Sequence, residues 1–177
     1  MTQQNTSLGP LAAIDGRWGI GDATRPGCHW VELRPDGLYQ HGPDTEGELI
    51  PWARIMTGIR ISWGRSSWNT NSRGWYTPRG TVTSGSRGWL HMTLRDPYED
   101  RVLRFDRHAH PYRAVDAVRL DWLLRYLGDE GALRALADPE WVGRVVARLA
   151  GGRQSWTREA LREVVAQAVE AAGPAGR

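Results

Sequence analysis

Trp89-Leu90-His91-Met92-Thr93-Leu94-Arg95 alternates apolar with polar residues, and Val102-Leu103-Arg104-Phe105 follows it across Asp96-Pro97-Tyr98-Glu99-Asp100. Successive side chains of an extended chain point to opposite faces. Leu90, Met92 and Leu94 therefore share one face, with Trp89, His91, Thr93 and Arg95 on the other. The acidic, proline-containing segment between the two runs reads as a turn. Toward the N-terminus, Ile59, Ile61 and Trp63 alternate with Arg60, Ser62 and Gly64 in the same period. Glu48-Leu49-Ile50 is a further short strand. Residues 28–33 and 38–41 flank Arg34-Pro35-Asp36-Gly37, a turn sequence in which Pro presets φ and Gly accepts φ > 0, so 28–41 reads as a hairpin. Six or seven strands without intervening helices point to a small antiparallel sandwich or barrel.

Toward the C-terminus the period changes. Val115, Val118, Trp122 and Tyr126 recur at helical spacing, with Leu120, Leu123, Leu124 and Leu127 widening the apolar face. Pro111 suits a first helical turn and Gly128 a C′ position. Residues 129–137 read as a short helix. Asp138-Pro139-Glu140 is a start signal, with an N-cap acid and Pro at N1, followed by the stripe Val142, Val145, Val146 and Leu149 and a stop at Gly151-Gly152. Thr157 can cap a last helix whose buried stripe is Leu161, Val164, Val165, Ala168 and Ala172, with Trp156 stapling to Leu161. The fold class expected is α+β. Residues 1–12 read as a disordered tail, 13–127 as the β unit with its capping helix, 128–173 as a three-helix extension, and 174–177 as a frayed end.

Charge is unevenly spread. Residues 1–48 carry −4, 49–95 carry +7 with no acid at all, and 96–177 balance at zero. All 23 basic residues are arginine, so the high pI of about 9.5 reflects a group that does not titrate near neutrality rather than a large net charge of +3. GC-rich coding gives the same arginine bias. One cysteine, Cys28, excludes an intrachain disulfide and a cysteine-rich zinc site and fits a reducing compartment. No apolar run approaches the ~20 residues that span a bilayer. The first residues lack a basic n-region and an apolar h-region.

Within the acid-free window, the strands on either side account for several residues, which leaves the connection 64–88. It is rich in Gly, Ser, Arg and Trp, and Ser72-Arg73-Gly74-Trp75 recurs as Ser86-Arg87-Gly88-Trp89. It reads as a further hairpin around Pro78-Arg79-Gly80 or as a binding loop. Guanidinium groups interleaved with large π faces suit an anionic partner, so the candidate binding residues are Arg65, Trp68, Arg73, Trp75, Tyr76, Arg79 and Arg87. Trp75 is the leading exposed aromatic. Trp18, Trp30, Trp63, Trp122 and Trp141 lie in strand or helix patterns and are expected in the core.

Other chemistry is sparse. His108-Ala109-His110 has a spacing that puts both rings on one strand face, as zinc sites use, with His29, His91 or Asp106 to complete it. The competing expectation is an ordinary polar strand-to-helix junction. Cys28 and His29 are adjacent and would point to opposite faces of a strand, so they cannot form a nucleophile–base pair. Cys28 is expected as a small buried hydrophobe. The glycines at 80, 85 and 88 lack a phosphate-loop lysine. From residue 129 onward seven arginines meet seven acids, unlike a DNA-recognition unit.

Gly37-Leu38-Tyr39-Gln40-His41 and Gly47-Glu48-Leu49-Ile50-Pro51-Trp52-Ala53-Arg54-Ile55 resemble the bacterial pleckstrin-homology-like (PH-like) pattern, in which a strand leads into an I-P-W-x-x-I segment. The resemblance covers residues 14–127. It implies a barrel plugged by a helix, with 89–105 and 111–127 as the last hairpin and the helix, and a binding module at membranes or in protein complexes. The chain departs from that pattern at 21–27, where the usual basic loop holds one arginine and one acid. The expectation is a non-enzymatic, cytoplasmic binding or adaptor module without a cofactor, peripheral to a membrane or in a complex. It would contact a protein or an anionic lipid headgroup through 64–88, with the C-terminal helices available for self-association. The alternatives are nucleic-acid binding through the same surface and a metal-dependent hydrolase around His108 and His110.

Overall fold

The computed structural model describes residues 6–43, 46–68, 87–152 and 157–176. The expected hairpin around 78–80 and the Trp156 staple lie outside them.

Ordered structure begins inside the stretch expected to be a tail. β1 (Ser7–Leu8) and β2 (Leu11–Ile14) bury Leu8 and Leu11 completely. Two turns make this possible. Gly9 takes φ 59 before Pro10, and Asp15-Gly16 takes φ 49 and 78. Two successive left-handed residues form the hairpin turn whose twist matches the flanking strands, so β3 (Arg17–Ile20) pairs back with Ile14 opposite Arg17. The meander continues through β4 (Trp30–Leu33), β5 (Gly37–His41) and β6 (Glu48–Pro51), giving one six-stranded antiparallel sheet in sequence order. The expected 28–41 hairpin is present with Leu33 opposite Leu38, although Cys28 and His29 precede the strand rather than lie in it.

A 3-10 turn at Trp52–Arg54 carries the chain to a second sheet of three strands, β7 (Arg60–Trp63), β8 (Arg87–Leu94) and β9 (Glu99–Asp106). The alternation read from 89–95 is borne out: Leu90, Met92 and Leu94 are buried and their neighbours half-buried. Backbone bonds join the sheets, Met56 N–H to the Thr93 carbonyl (2.9 Å), Arg95 N–H to Arg54 (2.8 Å), and Asp106 N–H to His29 (2.8 Å). The Gln40 amide adds a side-chain link, accepting from Arg104 N–H (3.2 Å) and donating to the Arg104 carbonyl (2.6 Å).

Three helices follow, so the fold is α+β with two antiparallel sheets. α1 (Ala114–Asp129) starts after Pro111 and ends beyond Gly128. Its C′ residue is Gly131, at φ 65, because the Ala132 and Gly131 N–H groups bond back to Leu127 (2.7 Å) and Gly128 (3.1 Å) in a Schellman turn. Gly128 is small for a different reason: a Cβ there would lie 2.1 Å from Gly58 Cα. Residues 129–137 yield the last residue of α1 and a 3-10 turn, Leu133–Ala137. α2 (Pro139–Leu149) begins as expected, with Asp138 accepting from Glu140 and Trp141 N–H, and α3 (Arg158–Ala172) is capped by Thr157. Residues 173–176 are tied down rather than frayed. Trp141 Nε1 donates to Gly173 O (2.9 Å) and Gly176 N to Asp138 Oδ2 (2.7 Å).

Among the described residues one hydrophobic core runs from Leu8 to Ala172. Trp18 Nε1 donates to Pro139 O (2.9 Å), docking α2 on β3, so the C-terminal helices complete the core of the β unit. Each large apolar side chain fully buried there contributes about 1.5–3 kcal/mol. Among the described residues, no helix is long and apolar enough to cross a membrane.

Candidate functional site

Strand register decides which side chains of the second sheet face outward. Arg60 lies opposite His91, Ser62 opposite Trp89, Trp89 opposite Arg104, and Arg87 opposite Asp106. Residues opposite one another in antiparallel strands point to the same side. The outer face is therefore a lattice of Arg60, Arg87 and Arg104 around Trp89 and His91. Arg104 is held by Asp106 (2.8 Å). Arg60 and Arg87 have no ion pair among the described residues. Ser62 Oγ sits 2.7 Å from His91 Nε2, and burial together with the Arg60 charge pushes the His91 ring down, so it is neutral at pH 7.

At the end of β7 the chain emerges at Arg65 and Trp68. Trp68 is 90% exposed, an unusual position for the largest apolar side chain. Of the seven expected binding residues, Arg65, Trp68 and Arg87 are thus placed at the same end of the second sheet. Arg73, Trp75, Tyr76 and Arg79 lie outside the described residues. Two tryptophans expected in the core are not fully buried. Trp122 is half-buried beneath Arg125. Trp30 stacks on His41 at 3.9 Å and 3° on the outer face of the first sheet, where Gly19 makes room for it.

The other candidates dissolve into structure. His108 and His110 lie past the end of β9, their rings 5.0 Å apart. The Tyr112 hydroxyl accepts from His108 N–H (2.7 Å) and lies 2.6 Å from Nδ1. The phenol oxygen can accept from Nδ1–H or donate to a bare Nδ1, so the contact holds the ring in place whichever ring nitrogen carries the hydrogen. Burial favours the neutral ring. No group of three or more His, Cys, Asp or Glu among the described residues has a metal-binding arrangement. Cys28 is half-buried, and burial pushes its thiol up, away from a reactive thiolate. Glu32, which sequence reading passed over, is buried on the outer face of the first sheet and accepts from Arg17 (3.1 Å), Arg34 (3.1 Å) and His41 (2.7 Å). Its signal, a carboxylate alternating with Val31 and Leu33, looks like any exposed strand position.

The 21–27 loop closes on itself. Asp22 Oδ1 accepts from Thr24 N and Oγ1 (2.9 and 2.6 Å), Asp22 Oδ2 from Arg25 Nε (2.5 Å), and Arg25 also reaches the Arg107 carbonyl. Burial alone would raise the Asp22 carboxyl, but these hydrogen bonds outweigh it and hold the pKa at about 2, below the usual 3.8. A depressed folded-state pKa stabilises above the unfolded value and is lost as pH falls through the folded one. The stabilisation, about 2 kcal/mol, should be complete above pH ~4 and fade toward pH ~2. Urea titrations across that window should show Asp22→Asn less stable at neutral pH and converging on wild type in acid. A gap that stays constant with pH would contradict the assignment.

Comparison with family models, with curated proteins and with solved structures finds no match to the chain.

Proposed function

We propose that the chain is a non-catalytic binding module on a PH-like scaffold, and that it docks an anionic partner, an acidic protein surface or a lipid headgroup, on the outer face of β7, β8 and β9. One observation carries this reading. Trp68 stands 90% exposed at the end of the second sheet where Arg65 and Arg87 also lie, and neither arginine forms an ion pair among the described residues. An exposed indole beside uncompensated guanidinium groups is costly to keep unless a partner covers it, and Trp and Arg are the residues that dominate binding hot spots. The closed 21–27 loop moves the contact away from the position that the resemblance would suggest, because its one arginine is already held by Asp22 and Arg107. Ser62, the hydroxyl beside His91, is 2% exposed and so shielded from a substrate, and His108 is held against Tyr112, which favours binding over acid–base chemistry.

The test is affinity capture from native extract and sedimentation with anionic and with neutral vesicles, comparing wild type with Trp68→Ala/Arg65→Glu/Arg87→Glu. Binding should weaken by about 10-fold or more in the triple variant and fall with salt. Retention of every partner by a folded triple variant would end this reading. Preferential binding of a single-stranded oligonucleotide, with a steep salt slope, would replace it with nucleic-acid recognition, in which Trp68 stacks on a base.

A further inference from the structure

A cleft of about 530 Å³ opens at the opposite end of β8, between the β unit and the close of α1. That volume lies within the usual range of small-molecule sites, which favour junctions of this kind. Arg95, on the cleft, is eight residues from Arg87, so about 25 Å of strand separates it from the surface proposed above.

The lining has two chemistries. Trp52, Ile55, Met56 and Leu133 supply an apolar floor. The Trp52 indole is fixed by its Nε1–H bond to the Arg34 carbonyl (3.0 Å), and Met56 remains 37% exposed, an adaptable apolar side chain open to the cleft. Arg95 and Arg134 are exposed on the rim, facing only one lining acid, Asp36. Neither arginine has an ion pair among the described residues. The walls are pinned in place by Ile55 bridging Leu94, Met56 N–H on Thr93 O and Arg95 N–H on Arg54 O.

A helix C-terminus normally repels anions. Here the last carbonyls of α1 are already occupied, Tyr126 by Glu130 N–H (3.0 Å), Leu127 by Ala132 and Gly128 by Gly131. The Schellman turn therefore satisfies these carbonyls within the backbone, so they do not depend on the Arg95 and Arg134 guanidinium groups as donors. We propose that this cleft binds a small amphipathic anion, an apolar or aromatic body that carries a carboxylate, sulfonate or phosphate. The body lies against Trp52 and Met56, and the anionic group meets the Arg95 and Arg134 guanidinium groups, whose planar forks match such oxyanions.

The probe is 8-anilinonaphthalene-1-sulfonate, whose emission rises in an apolar site, with the uncharged N-phenyl-1-naphthylamine beside it. Wild type should bind the sulfonate saturably at one site. Arg95→Glu/Arg134→Glu should raise its dissociation constant about 10-fold or more and leave the neutral probe little changed. Ala53→Trp, which fills the cleft from the 3-10 turn, should weaken both. Arg65→Glu/Arg87→Glu should change neither, which separates this site from the outer-face surface. Arg95→Gln/Arg134→Gln gives the same comparison should charge reversal impair folding, with melting curves as the check. Absence of saturable sulfonate binding by wild type, or equal affinity in a folded Arg95/Arg134 variant, overturns the proposal.

Discussion

Trp63→Ala should lower the free energy of unfolding by about 3–5 kcal/mol, with a fall in melting temperature of ~10 °C or more for a chain of this size. Trp63 ends β7 at 2% exposure, edge-on to Phe105 (5.4 Å, 82°) and tilted against Tyr112 (6.0 Å). Phe105 in turn fills the space over Gly88, where a Cβ would come 2.1 Å from its ring. The ring system is thus locked by all three strands of the second sheet and by the segment entering α1. Removing the indole leaves a cavity that neither the strands nor Tyr112 can close, and the cost is the lost transfer energy plus that cavity. Trp63→Phe keeps an aromatic in place and should cost about 1–2 kcal/mol. Urea midpoints for the pair give the comparison. An alanine variant within ~1 kcal/mol of wild type would refute the packing at this site.

Two helix glycines should respond to alanine with opposite signs. By propensity alone, Gly→Ala within a helix gains about 0.5–1 kcal/mol. At Gly143 in α2 the added Cβ meets only Trp18, at an ordinary 3.7 Å, so Gly143→Ala should be stabilising by that amount. At Gly128 in α1 it would lie 2.1 Å from Gly58 Cα and 2.3 Å from Gly58 N. Backbone must move to accept it, so Gly128→Ala should cost about 2 kcal/mol or more, against its propensity. The reciprocal contact, Gly58 against Arg125 backbone at 2.8 Å, predicts that Gly58 is equally intolerant. Thermal melts of both single variants settle the signs. Stabilisation by Gly128→Ala would mean that the helix does not approach residue 58 this closely.

Local patterns were legible in the sequence where a single element carried its own signal. The alternation at 89–95, the 34–37 turn and the Asp138-Pro139-Glu140 start each specify their element, because the deciding residues are neighbours. Asp15-Gly16 is an equally local hairpin signal, and it pairs β3 with a β2 strand that begins inside the stretch expected to be a tail. Gly128 has the look of a terminator in sequence because its partner, Gly58, is seventy positions away. Trp30 looked like a core residue since strand alternation cannot say which face is covered. The Ser62–His91 pair depends on the register of β7 against β8, which the intervening connection hides. The cleft draws its lining from residues 35 to 134, so no window of sequence contains it. Of the candidate surface, composition located the region, but only the fold showed that Arg60 and Trp89 join Arg87 on one outward face.

The three-stranded sheet has two outer margins, and a side chain occupies each. On β7, Asp121 of α1 accepts the Ile61 N–H (2.7 Å). On β9, the Gln40 amide takes both main-chain groups of Arg104, and Asp106 is taken by His29 and Asp22. Exposed strand margins are templates on which other chains can add, the route to aggregation and domain swapping. A carboxylate and a carboxamide here imitate the missing neighbours without offering a strand to extend. Burial pushes the Asp121 carboxyl up, so holding it ionised against β7 works against folding stability. The return on that cost is a guarded margin: at Ile61 and Arg104 the main-chain groups that an added strand would need are already taken.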